Sequence, residues 1–305
     1  MDTLCIEGLT KKFGAHTVLD EISFTVPEHS VFGFLGQNGA GKTTTMKLIL
    51  GLLKADGGQI RVLGEPVTYG QTKTNRLVGY LPDVPEFYGY MKPAEYLKLC
   101  GEIAGLSKKE IARRSEELLH LVGLEEARKK ISGFSRGMKQ RLGITQALLT
   151  RPKLLICDEP TSALDPVGRR ELLNILHQVR EQTTVLFSTH ILSDAEQICD
   201  RIAVLHQGNL ALCGELSRIK AQKSANALFV SFASAADVSE LTASPYLLPY
   251  CSQIEVQGSC LTIRSTDIKP VQQAVLSALY GKGLFPLKME IQEPTLEGIF
   301  MEAIQ

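Results

Sequence analysis

The chain predicts an α/β fold followed by a small α+β domain, and three observations in its 305 residues carry that prediction. Residues 36–44 read GQNGAGKTT and stand between an apolar run and an amphipathic stretch. Two further apolar runs, LLIC at 154–157 and TTVLFSTH at 183–190, are each flanked by helical periodicity, the pattern of parallel strands buried on both faces. Past about Leu216 the texture changes to strand, helix, two strands, helix and strand. A medium domain over residues 1–216 and a smaller one over 217–305 follow from that change.

Taken in order, TLCIEGL, TVLDEISFTV and SVFGFL alternate as strands across residues 2–35, with turn-rich KKFGAH and PEHS between them. They read as an antiparallel β layer leading into the glycine-rich loop, after which residues 44–53 (TTMKLILGLL) form a helix. A hairpin signal spans Asp56 to Val67, and LVGYLP (77–82) is a strand. Residues 88–135 are a helical insertion, in which Ser107 caps KKEIARRSEELLHLVGL and Glu110 three residues later completes a capping box. Helices are expected at Met138–Leu149, Val167–Glu181 and Ile191–Cys199. In the small domain ALFVSFA, VSELTAS, SQIEVQG, CLTIRS, VQQAVLSALYG and PLKMEIQ give the βαββαβ order of a split, ferredoxin-like unit. A terminal helix covers Thr295–Ile304, and its Ile299, Phe300, Met301 and Ile304 suit either a core or a second subunit.

Composition excludes some classes of partner. With 33 basic and 33 acidic residues the chain lacks the positive field of nucleic-acid binders, and residues 221–305 hold 5 Lys/Arg against 8 Asp/Glu. Seven scattered cysteines, never spaced as CxxC, point to a reducing cytosolic compartment with neither a disulfide framework nor a zinc site. The start MDTLCIEGLT has no signal-peptide pattern, and no apolar run approaches the ~18 residues of a membrane span. Any membrane role is expected to pass through a partner.

The loop at 36–44 fills every fixed position of the phosphate-binding pattern, with Gly36, Gly41, Lys42 and Thr43 in place. Glycines there let backbone N–H groups from about Asn38 through Gly39, Ala40 and Gly41 to Thr43 surround a phosphate, at the positive end of the helix that Thr44 continues. Lys42 supplies a mobile charge to the β and γ phosphates of a nucleoside triphosphate, and Thr43 a hydroxyl to Mg2+. Downstream, LLICDEPTSALD ends an apolar strand in Asp158 and Glu159. Asp158 can hold a water on the metal and Glu159 can polarise the attacking water as general base; taken alone, Asp158 also reads as a solvated strand end.

Between these elements lies FSRGMKQR (134–141), and with it residues 2–220 resemble an ABC ATPase, the nucleotide-binding subunit of an ATP-binding cassette transporter. The resemblance implies a P-loop NTPase with a RecA-like core, an antiparallel β subdomain and a helical subdomain at about 88–135. It implies that Ser135 and Gly137 cap the γ-phosphate of ATP on an opposite subunit, whereas Arg136 and Met138 replace the first glycine and the glutamine of the usual LSGGQ. Ser135 is equally a helix N-cap, which is compatible. Ser162 to Asp165 match a loop that communicates across a dimer, and His190 matches a switch histidine on the γ-phosphate; a structural role is the alternative for a lone histidine after a strand. Phe13 sits where the family stacks an aromatic on adenine, with Val18 nearby, although a core aromatic fits as well. Asp83 stands where the family has a metal-touching glutamine, so it is expected at the metal with an added negative charge and no donor.

EPTLEGIF (293–300) resembles the end of the accessory domain on subunits paired with ABC-2-type permeases, within a group that includes bacitracin and lantibiotic exporters and immunity systems. The implied protein is a cytoplasmic ATPase on the inner face of a membrane, bound to a transmembrane permease. It would act as a homodimer or as a heterodimer with a second ABC subunit, with ATP and Mg2+ and without nucleic acid. The competing class is a soluble, non-transport ABC ATPase in regulation, translation or repair.

Overall fold

The computed structural model describes residues 2–71, 73–162, 164–222, 226–265, 267–292 and 295–303. These form two compact units, the first running to Leu216 and the second spanning Ser217–Glu302.

The first unit begins with β1 (Asp2–Phe13), β2 (His16–Pro27) and β3 (Val31–Gly36). The β1–β2 turn is only two residues long, because Gly14 adopts a left-handed backbone (φ 61°) and so reverses the chain in a minimum of residues. Helix α1 (Lys42–Ile49) starts and stops earlier than its periodicity predicts: Gly41 precedes it at φ 109° and Gly51 follows at φ 66°. Strands β4 (Gly57–Val62), β5 (Glu65–Pro66) and β6 (Val78–Leu81) follow, then α2 (Pro93–Ile103) and α3 (Lys108–Leu121). Ser107 and Glu110 form the expected capping box on α3.

Helix α4 (Arg136–Leu148) leads to β7 (Leu154–Asp158), α5 (Pro166–Val179), β8 (Thr184–Thr189) and α6 (Leu192–Ile198). The hairpin of β9 (Arg201–His206) and β10 (Asn209–Glu215) is absent from the sequence reading. Its signal was present all the same: Gln207 and Gly208 both take positive φ, as a two-residue hairpin turn requires, after the apolar run IAVL. Helix α7 (Leu216–Gln222) ends this stretch.

Two sheets result, one ordered β2-β1-β4-β5 and one ordered β10-β9-β3-β8-β7-β6. The first is antiparallel, whereas in the second β9, β3, β8, β7 and β6 run parallel and only β10 is antiparallel. Strands β3, β7 and β8 are buried along their whole length, which explains why they read as continuous apolar runs. Phe24 of β2 stacks on Phe32 and Phe34 of β3, with ring centroids 5.4 and 5.3 Å apart, and so joins the two sheets in one core.

The second unit contains β11 (Asn226–Ser231), α8 (Ala235–Thr242), β12 (Ile254–Gln257), β13 (Cys260–Ser265), α9 (Ile268–Lys282), β14 (Lys288–Gln292) and α10 (Leu296–Ala303). A 3-10 segment at Pro245–Gln253, unforeseen in the sequence, joins α8 to β12. The sheet order β12-β13-β11-β14, antiparallel at every pairing, is that of a split βαβ unit. Val271, Val275, Ala278 and Leu279 recur at helical spacing on α9 and pack with Leu228, Val230, Leu261 and Ile263 of the sheet. Ile299 and Phe300 are buried, Met301 is exposed, and Glu293, Pro294 and Ile304 lie outside the described residues.

Candidate active site

Parallel strands deliver their last residues to one edge of a sheet, and here β3, β7 and β8 lie side by side. Leu35 is in register with Thr189, and Asp158 with Ser188, so Gly36, Asp158, Glu159 and His190 emerge at one level.

The loop after β3 is shaped by close approach. A Cβ on Gly36 would fall 2.6 Å from the Leu205 carbonyl oxygen of β9, and one on Gly41 would meet Leu19 and Val18 at 2.9 and 3.1 Å. Val18 therefore flanks the loop. Gln37, Asn38 and Gly39 are exposed and Ala40 is partly so, while the Ala40 N–H donates to the Gln37 carbonyl at 3.2 Å. No side chain caps α1, whose first N–H groups, from Lys42, Thr43 and Thr44, have no partner within their own helix. Thr43 is exposed and Thr44 half-buried at this end. The result is a row of backbone donors suited to an anion.

Lys42 is buried, and its Nζ donates to the carbonyls of Gly36 (2.7 Å) and Gln37 (3.1 Å) and stands 3.0 Å from Glu159 Oε1. The other oxygen, Oε2, is 2.8 Å from His190 Nδ1. A cation, a carboxylate and an imidazole thus form one chain across three strand ends. Lys42 gives Oε1 a charge partner without hydrogen-bond alignment, and among the described residues no donor is aligned on that buried oxygen.

Ser188, which the sequence reading missed, contacts both adjacent acidic residues, Asp158 through its carboxylate and Glu159 through its backbone. Its Oγ donates to Asp158 Oδ1 at 2.6 Å and accepts from the Glu159 N–H at 3.0 Å. Asp158 is 2% exposed, so this bond holds a buried carboxylate in one orientation. Glu159 takes a left-handed backbone (φ 48°), and its N–H also meets the Ser188 carbonyl at 3.1 Å. Thr161 Oγ1 then donates to Asp194 Oδ2 at 2.6 Å, tying the loop after Glu159 to the helix after His190. Burial pushes the Asp194 carboxyl pKa up despite that bond.

The remaining expected residues lie around this cluster. Ser135 is exposed and caps α4, its Oγ accepting from the Met138 N–H at 3.2 Å, with Gly137 half-buried in the first turn. Asp165 caps α5 by accepting from the Gly168 N–H, whereas Ala163 lies outside the described residues. Phe13 is 50% exposed, with Lys11 Nζ 5.1 Å from its ring centroid, so the ring is presented to solvent and not to the core. The carboxylate of Asp83 faces Ser162 and Arg136: Ser162 Oγ donates to its Oδ1 at 2.9 Å, and Arg136 Nη2 is 3.5 Å from the same atom.

Residues 19–162 match the family model described as ABC transporter. The chain is 39% identical over 302 residues to an uncharacterized ABC transporter ATP-binding protein, YxlF of Bacillus subtilis, covering 99% of each. It belongs to the ABC transporter ATP-binding proteins. The bacitracin transport ATP-binding protein BcrA of Bacillus licheniformis is 42% identical over 205 residues, 66% of each chain. A solved ATP-binding subunit of an ABC transporter superposes with a TM-score of 0.65 at 35% identity, over 72% of this chain and 92% of that one. As an ABC cassette the protein binds and hydrolyses ATP, and as an ATP-binding subunit it works with a separate permease. Among the described residues no helix is long and apolar enough to cross a membrane.

Proposed function

We propose that this ABC ATPase drives an exporter of antibiotic or peptide cargo, or an immunity system against such compounds. The relative named for bacitracin transport supports the choice of cargo class. The proposed location is the cytoplasmic face of the membrane, held there by the permease.

In this reading the N–H groups at the head of α1 and the Lys42 ammonium bind the β and γ phosphates, while Phe13 stacks on adenine beside Val18. Glu159 takes the proton of a water as its oxygen attacks the γ-phosphorus and the bond to ADP breaks. The observation that carries this assignment is Glu159 Oε1: buried, beside a cation, and free of any aligned donor. His190, hydrogen-bonded to the other carboxylate oxygen, fixes the orientation of that base. Mg2+ is the proposed counter-ion, with the Thr43 hydroxyl and the Asp158 carboxylate as the hard oxygen donors that suit it. When bound it neutralises charge on the phosphate oxygens.

Ser135 and Gly137 are exposed or half-buried on the first turn of α4, away from any bond to Lys42 or Glu159, which fits a γ-phosphate held by a second subunit. Two subunits closing on two ATP molecules would then bias the permease between its states. The decisive experiment replaces Glu159 by Gln in the full chain. Turnover should fall by about 10²- to 10⁴-fold while ATP binding persists and an ATP-loaded dimer accumulates. Near wild-type turnover would remove Glu159 from the role.

A further inference from the structure

One carboxylate gathers three segments that are far apart in the chain. Asp83, two residues beyond the end of β6, receives the Ser162 hydroxyl at 2.9 Å and lies 3.5 Å from the Arg136 guanidinium. Its backbone carbonyl accepts from Gln140 Nε2 at 2.6 Å, and Gln140 is 1% exposed on α4. Ser162 lies three residues beyond Glu159, and Arg136 directly follows Ser135. The loop of the general base and the anion-capping turn therefore meet on a single residue.

Packing keeps these partners in reach. Helix α4 lies so close to β6 that a Cβ on Gly143 would come within 2.5 Å of the Leu81 side chain. With the helix held there, Arg136 at its head reaches Asp83. Charge suits the pair: a carboxylate accepts from a hydroxyl and a charged guanidinium together, whereas a neutral glutamine could accept through its carbonyl oxygen but without the charge attraction. Asp83 and Arg136 carry opposite charges and are in contact.

We propose that Asp83 is a positioning residue and that Asp83 and Arg136 are a matched pair, aligning the Ser135 turn with the Glu159 loop inside one subunit. The inference rests on the roles given above to Glu159 and Ser135. Both side chains are 47% exposed, so the pair is a modest one, screened by salt. Its effect falls on alignment for turnover and not on nucleotide affinity.

The test is a double-mutant cycle on the full chain, with steady-state ATP hydrolysis measured for Asp83→Asn, Arg136→Gln and the double variant, at low and high salt and across a Mg2+ titration. Each single change should lower kcat about three- to fivefold with KM held within about twofold. The double variant should be no worse than either single one, Arg136→Lys should recover most of the rate, and the penalties should shrink at high salt. Losses that multiply in the double variant overturn the pairing. So does a shifted Mg2+ requirement in Asp83→Asn without one in Arg136→Gln, which would place Asp83 at the metal. Glu159→Gln in the same assay reports separately on the general base, so the two readings fail by different signs.

Discussion

The strand-end half of the site and the Ser135 half are built in opposite ways. Lys42 and Asp158 are buried and Glu159 is nearly so; Lys42 and Glu159 are each held by two or more partners within the chain, and Asp158 by the Ser188 hydroxyl. Ser135 is exposed, and among the described residues its side chain bonds only to the start of its own helix. A group that must act at once on a bound phosphate gains from being fixed in advance, because no reorganisation is then needed during the reaction. A group that must meet a separately bound nucleotide has to remain accessible. The contrast fits the proposal that one half is complete in a single chain while the other acts on a nucleotide held by a second copy.

The strongest way to break this contrast is Lys42→Ala. It removes a buried cation from the phosphate loop and leaves Glu159 without its charge partner, so ATP affinity should drop by about ten- to a hundredfold. Equilibrium titration with a fluorescent ATP analogue measures it, and unchanged affinity would detach Lys42 from the nucleotide. A sharper test of the exposed half mixes Ser135→Arg chains with Lys42→Ala chains. If Ser135 acts on ATP held by the partner, the heterodimer has one intact composite site and should keep partial activity, while each parent homodimer is inactive. Isolated heterodimers that hydrolyse nothing would count against a shared site. A smaller effect belongs to Ser188→Ala, which strips Asp158 of its only side-chain donor among the described residues. Turnover should fall about tenfold and thermal stability by about 1–2 kcal/mol, read by hydrolysis and by denaturation. A variant with altered stability and full turnover would make Ser188 a packing residue alone.

Legibility followed sequence distance. The phosphate loop is nine consecutive residues whose spacing is itself the chemistry, and Asp158 and Glu159 are adjacent at the end of a run apolar enough to announce a buried strand. The β9–β10 hairpin was passed over because its apolar core is only four residues long and follows a helix without a proline or an extended loop. Ser188 escaped for a different reason. A serine inside a strand of five other uncharged residues carries no local sign that its hydroxyl bridges the Asp158 carboxylate and the Glu159 N–H, 30 and 29 positions away. The partners of Asp83 were equally hidden, since Ser162 lies 79 residues on and reaches it only after β6 and β7 pair. What the sequence concealed was the set of hydrogen bonds made across strands, which exist only after register is chosen.

The left-handed backbone at Glu159 sets folding and turnover against each other at a single peptide. An L-residue with a long side chain held at φ 48° raises the free energy of the folded chain by about 1 kcal/mol, and a glycine would relieve most of that strain. Yet that same twist turns the Glu159 N–H onto Ser188 and carries its carboxylate between Lys42 and His190. A search for more thermostable variants would therefore be drawn to this position, and every gain made there would come from dismantling the proposed base.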